Sequence, residues 1–132
     1  MSPKSVAEKL LVKPNTTVWS SDPKRLALVE PLPKGARVVK RLDQAATAIV
    51  FADDAASLRR VLSKQGERLT GASVLWVAYP KGNKADINRD TLWPIVADHG
   101  MRPIGQVAVD ETWSALRFRP NKPGEGLFTG GR

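Results

Sequence analysis

The chain has 132 residues and a mass of 14.4 kDa, enough for one core and too few for two. It lacks cysteine and has a single histidine, which excludes disulfides, thiolate metal sites, cysteine nucleophiles and most zinc or triad chemistry. A formal charge of +8 and a pI near 10.2 favour polyanions, but the basic residues are spread singly and in pairs, as in Lys24-Arg25, Lys40-Arg41 and Arg59-Arg60.

In chain order, Ser5-x-x-Glu8 has capping-box spacing ahead of Leu10 and Leu11 and predicts a short opening helix that stops at Pro14-Asn15. The start has neither a secretory h-region nor a membrane-spanning run, so a cytoplasmic location and no membrane partner are expected. Thr16 to Ser20 is β-branched and aromatic and predicts a strand. Asp22-Pro23 then supplies a cap and a first-turn proline for a helix carrying Leu26, Ala27 and Val29, which ends before Pro31 and Pro33.

Gly35 leads into ARVVKRL, a second strand. The link from Val39 to Thr47 is too short for a helical crossover, so this strand must be brief, irregular or at an edge. Ala46 to Ala52 is an apolar run suited to a strand buried on both faces. Asp53 or Asp54 caps the next helix, in which Ala55, Leu58, Val61 and Leu62 form an apolar stripe and Arg59, Arg60 and Lys64 face outward, with Gly66 or Gly71 near its end.

Ala72 to Tyr79 is the most strand-like segment. The following helix places Leu92, Ile95, Val96 and His99 on one face and ends at Gly100, and Pro94 demands either a late start capped by Asp90 or Thr91, or a kink. PIGQVAV and TWSALRF read as two strands joined tightly through Asp110-Glu111. Residues 1–119 thus form one α/β domain, an open and mainly parallel sheet with helices on both faces and a C-terminal antiparallel strand pair. Residues 120–132, rich in Gly and Pro, read as a flexible tail in which Leu127-Phe128 has the character of a short docking segment.

LWVAYPKG, the NRDTLWPIVADHG helix and VAVDETWSALRF together resemble the signature of a bacterial family of small domains of unknown function. More distantly, the order of elements looks like a trimmed Rossmann-like methyltransferase domain, with GERLTGASVLWVAY in the place of a helix end, glycine turn and strand. That likeness implies a ligand edge for S-adenosylmethionine. Such enzymes carry a glycine-rich loop after the first strand, where this chain has Trp19-Ser20-Ser21-Asp22-Pro23, and Asp43 is only a loose counterpart of their ribose-holding acid. No cofactor is therefore expected, S-adenosylmethionine included.

Open α/β sheets place ligands at the carboxyl ends of their strands. Lys81, Asn83 and Lys84, in PKGNK after the apolar strand, suit anionic or polar groups there, although the same residues also make an ordinary solvated turn. Asp110, Glu111 and Trp113 should lie alongside, the two acids as a turn pair meeting Lys81 or Lys84, and Ser20, Ser21 and Asp22 mark the first-strand exit. Trp19 and Trp76 read as core, Trp93 as partly exposed, and Trp113 as core or as a stacking surface. His99 reads as a packing residue rather than a base. The function implied is a non-catalytic binding or protein-interaction module, with an unknown protein or a small anionic ligand as partner. The alternatives are an enzyme using a nucleotide-like ligand and a weak, sequence-indifferent binder of RNA.

Overall fold

The computed structural model describes residues 6–69, 71–81 and 86–125. Along the chain these form α1 (Val6–Lys9), β1 (Thr17–Ser20), a 3-10 helix (Pro23–Leu28), β2 (Arg37–Val38), a second 3-10 turn (Leu42–Gln44) and β3 (Thr47–Phe51). They continue as α2 (Ala55–Leu69), β4 (Val74–Pro80), α3 (Arg89–Ala97), β5 (Met101–Ala108) and β6 (Trp113–Pro120). The described strands make one sheet in the order β2-β1-β3-β4-β6-β5. The β2, β1, β3 and β4 strands are parallel, and β6 is antiparallel to both β4 and β5.

The β3 strand is buried along its whole length because both sheet faces are covered. On one face α2 and α3 bring Leu58, Leu62, Leu69, Leu92 and Val96 onto Ala48, Val50, Leu75, Val77 and Leu116. On the other, α1 and the first 3-10 helix bring Ala7, Leu10, Leu26 and Val29 onto Val18, Ile49, Trp76 and Ala115. Trp76 is anchored there by its indole N–H, which donates to the Leu10 carbonyl at 2.8 Å. Trp19 and Trp76 are both core, as their places in strands predict.

Two expectations are corrected in detail, and two are met. The segment capped by Asp22 is a 3-10 helix of six residues rather than an α-helix, since Pro31 and Pro33 leave no length for regular turns. As the short link to β3 requires, the β2 strand is brief and at the sheet edge, with two residues, both exposed. The α2 helix runs through Gly66 to Leu69, and Gly71, the second of the two glycines expected near its end, follows two residues later. The cap of α3 is Asn88, in a reciprocal box with Thr91, so Pro94 sits inside a nine-residue helix. The proline removes one helix bond, and the cap with the buried Leu92 and Val96 outweighs that loss.

Gly66 is buried inside α2 because the His99 ring lies over it. A Cβ built there would stand 3.1 Å from Nδ1. His99 itself is exposed, one residue beyond the C-cap Asp98, and Gly100 at φ +79° then turns the chain into β5.

Past β6, residues 121–125 are tied to the sheet, although they were expected to belong to the tail. Glu125 accepts from Arg119 at 2.9 and 3.0 Å and from the Lys122 main chain at 2.7 Å, and Arg102 lies 3.1 Å away. Leu127-Phe128 lies outside the described residues.

Candidate functional site at the carboxyl edge

The parallel strands β1, β3 and β4 end on the same edge, and β5 delivers its end there too. Since β6 runs the opposite way and pairs Trp113 with Pro80, Trp113 begins at that edge between β4 and β5. The β5–β6 turn is built by Asp110, whose carboxylate accepts from the main-chain N–H groups of Thr112 and Trp113 at 2.8 and 2.7 Å. The Lys81 main-chain N–H donates to the Thr112 carbonyl at 2.8 Å, which joins the loop after β4 to this turn. Among the described residues the carboxylates of Asp110 and Glu111 make no ion pair with Lys81, whose main chain makes the contact with the turn. Asn83 and Lys84 lie outside the described residues.

At the β1 exit the side chains are engaged locally. The Ser21 hydroxyl accepts from the Phe51 main chain at 2.8 Å, and that of Ser20 pairs with the main chain of Asp22 at 3.0 and 3.1 Å. The Asp22 carboxylate caps the 3-10 helix by accepting from the Lys24 main chain at 3.2 Å.

Arg25, from that helix, is the residue that sequence reasoning missed. Its guanidinium meets Asp53 at 2.7 Å and Asp22 at 3.4 Å, and it lies 4.7 Å from the centre of the Trp113 ring. The hydrogen bond to Asp53 raises its affinity for its proton, against a smaller opposing effect of burial. Phe51 packs edge-on against the same indole, with centroids 5.6 Å apart. Trp113 is 9% exposed, so its ring is occupied by Arg25 and Phe51. The signal was the Asp22-x-x-Arg25 spacing on a capped turn, which brings the charge back toward the cap; the match to Asp53 and Trp113 is long-range and invisible in a single sequence.

The first turn of α2 is also filled. The Asp54 carboxylate accepts from the Ser57 main chain at 2.8 Å, which with the Ser57 hydroxyl holds its pKa below the usual range, and Asp86 accepts from the Ala55 main chain at 2.8 Å. A cleft of about 360 Å³ remains beside the β1 exit, walled by Trp19, Ser21, Asp53, Ser57, Arg60 and Lys64. Asp43, the loose counterpart of a ribose acid, lies away from this edge. It sits next to Gln44, whose carbonyl accepts from the Thr17 hydroxyl at the start of β1, and it pairs with Arg41 at 2.9 Å.

Among the described residues no group of three or more acidic, histidine or cysteine side chains could hold a metal, and no helix is long and apolar enough to cross a membrane.

No protein-family model matches the sequence, and no curated protein matches it. Solved structures match its fold. A Streptococcus pneumoniae protein assigned as a tRNA (m1A22) methyltransferase superposes with a TM-score of 0.56 at 11% identity, over 95% of this chain and 70% of the other. The Bacillus subtilis m1A22 tRNA methyltransferase gives 0.54 at 11% identity, over 89% and 64%. A Streptococcus agalactiae protein of the NAD-binding Rossmann superfamily gives 0.56 at 10%, over 98% and 71%.

Proposed function

The chain has the Rossmann-like fold of methyltransferases, and from that scaffold we propose that it works as a binding module without methyl transfer. Its binding surface is the carboxyl edge, where Lys81 and the Asp110–Trp113 turn face a protein or a small anionic ligand in the cytoplasm. The observation behind this reading is Arg25. It reaches from the β1 exit to Asp53 and Trp113, so side chains of the protein itself link the strand ends where a cofactor needs open backbone. The serine hydroxyls of the β1 turn and the first turn of α2 are likewise engaged.

A second reading is favoured by the 360 Å³ cleft, whose size falls within the range of small-ligand sites: an enzyme using a nucleotide-like ligand there. Calorimetry with S-adenosylmethionine and S-adenosylhomocysteine separates the two. The binding module gives no saturable heat. A micromolar dissociation constant, worth about 8 kcal/mol of recognition, restores the methyltransferase reading.

A further inference from the structure

The positive charge that looks dispersed along the sequence is concentrated by α2. Residues 55–69 hold four cations, Arg59, Arg60, Lys64 and Arg68, against one carboxylate, Glu67. Arg60, Lys64 and Arg68 stand at i, i+4 and i+8, on one ridge of the helix, about 6 Å apart at a rise of about 1.5 Å per residue. All three are exposed, and none makes an ion pair with a described residue. Like charges at i, i+4 oppose helix formation, so the ridge is kept at a cost to the local structure.

The ridge also has room beside it. Arg60 and Lys64 border the cleft at the carboxyl edge, while Lys64 and Arg68 border a second hollow of about 520 Å³ that ends at His99. Of the carboxylates near its start, Asp53 is committed to Arg25, and Asp54 is hydrogen-bonded to Ser57 at the cap, with Arg60 near enough to add a lesser attraction. Asp98, the C-cap of α3, lines a neighbouring groove together with Arg59 and His99.

We propose that Arg60, Lys64 and Arg68 bind the phosphodiester backbone of a nucleic acid. Three exposed cations in a row, none ion-paired with a described residue, match a row of phosphates, and α2 carries no aromatic residue on which a base could stack, so contact is with the backbone and indifferent to sequence. The ridge meets the carboxyl edge at the cleft beside Arg60 and Lys64, but it uses neither Lys81 nor Trp113 and is tested separately from them.

The test is fluorescence anisotropy with a labelled oligouridylate at several salt concentrations. Three contacts on a single strand give a slope of about −2 in log K against log salt, or about 20-fold weaker binding between roughly 50 and 200 mM. The triple variant Arg60→Gln, Lys64→Gln, Arg68→Gln should lose most of the affinity and flatten the slope by about 2. A control with equal loss of charge, Lys34→Gln, Arg37→Gln, Lys40→Gln, should retain it. All six positions are exposed, and urea unfolding confirms that both variants fold. Absence of binding at low salt, equal loss in the two triples, or polyglutamate binding as tight as the oligonucleotide's to the parent protein would each overturn the proposal.

Discussion

The guanidinium of Arg25 lies over the face of Trp113, 4.7 Å from the ring centre, and joins the exit of β1 to the start of β6 across two intervening strands. It also bonds Asp53 at 2.7 Å. A partly exposed cation over an indole is worth about 0.5–1 kcal/mol and an exposed ion pair about 0–1. Arg25→Ala should therefore cost about 1–2 kcal/mol in urea unfolding, with Arg25→Lys intermediate because the planar stack is lost. A double-mutant cycle with Trp113→Leu should return a coupling of about 0.5–1 kcal/mol. A coupling near zero would mean that the two residues are merely adjacent.

The clasp at Glu125 should respond to acid. Hydrogen bonds from Arg119 and the Lys122 main chain, with Arg102 nearby, hold its carboxyl at about 2, down from 4.5. A depressed carboxylate stabilises the folded state above the unfolded pKa, and that contribution is lost as pH falls through the folded one. Residues 121–125 should thus stay docked at pH 5 and release between about 4.5 and about 2. Hydrogen exchange or proteolysis of this segment across that range reads the release, and Glu125→Gln should release it at neutral pH.

The parts of the fold fixed by local pattern were legible in advance. ATAIVFA is apolar but for Thr47 because both of its faces are covered, and SSDP announces a capped turn. The antiparallel place of β6, which carries Trp113 to the carboxyl edge, followed from the tight Asp110-Glu111 connection. Arg25 was not legible, since its partners Asp53 and Trp113 are far along the chain and the guanidinium resembles any surface cation until the sheet brings them together. Asp110 was legible as a turn residue, but not the way in which its carboxylate closes that turn, which depends on geometry that its sign does not reveal. The α3 cap was misplaced because Pro94 pushed the expected start too late, whereas Asn88 and Thr91 form a box strong enough to carry the proline.

Gly66 and His99 should be coupled. Replacing a mid-helix glycine by alanine gains about 1 kcal/mol, but the new methyl would stand 3.1 Å from the imidazole and push it outward. His99 is exposed beyond the end of α3 and can yield, so Gly66→Ala should lie between neutral and about 1 kcal/mol stabilising. In a His99→Ala background the full gain should appear. Equal effects of Gly66→Ala in both backgrounds would show that the ring exerts no constraint.

The turn at Asp110 governs the geometry of the proposed partner surface. Its carboxylate takes the N–H groups of both Thr112 and Trp113, and the Thr112 carbonyl in turn takes the Lys81 N–H. Asp110→Ala leaves two main-chain donors without that acceptor and should cost about 1 kcal/mol, discounted from the charged-bond value because the turn is open to water. Asp110→Asn keeps one acceptor oxygen and should cost less. Glu111→Gln, at an exposed side chain, should stay within about 0.5 kcal/mol, and so should Lys81→Glu, because the tie of Lys81 is through its main chain. The same series tests whether the turn positions the indole: Asp110→Ala should also shrink the Arg25–Trp113 coupling measured by the double-mutant cycle, while Glu111→Gln leaves it unchanged. If the coupling survives Asp110→Ala at full size, the ring is held by Phe51 and the core alone, and the turn has no part in shaping the edge.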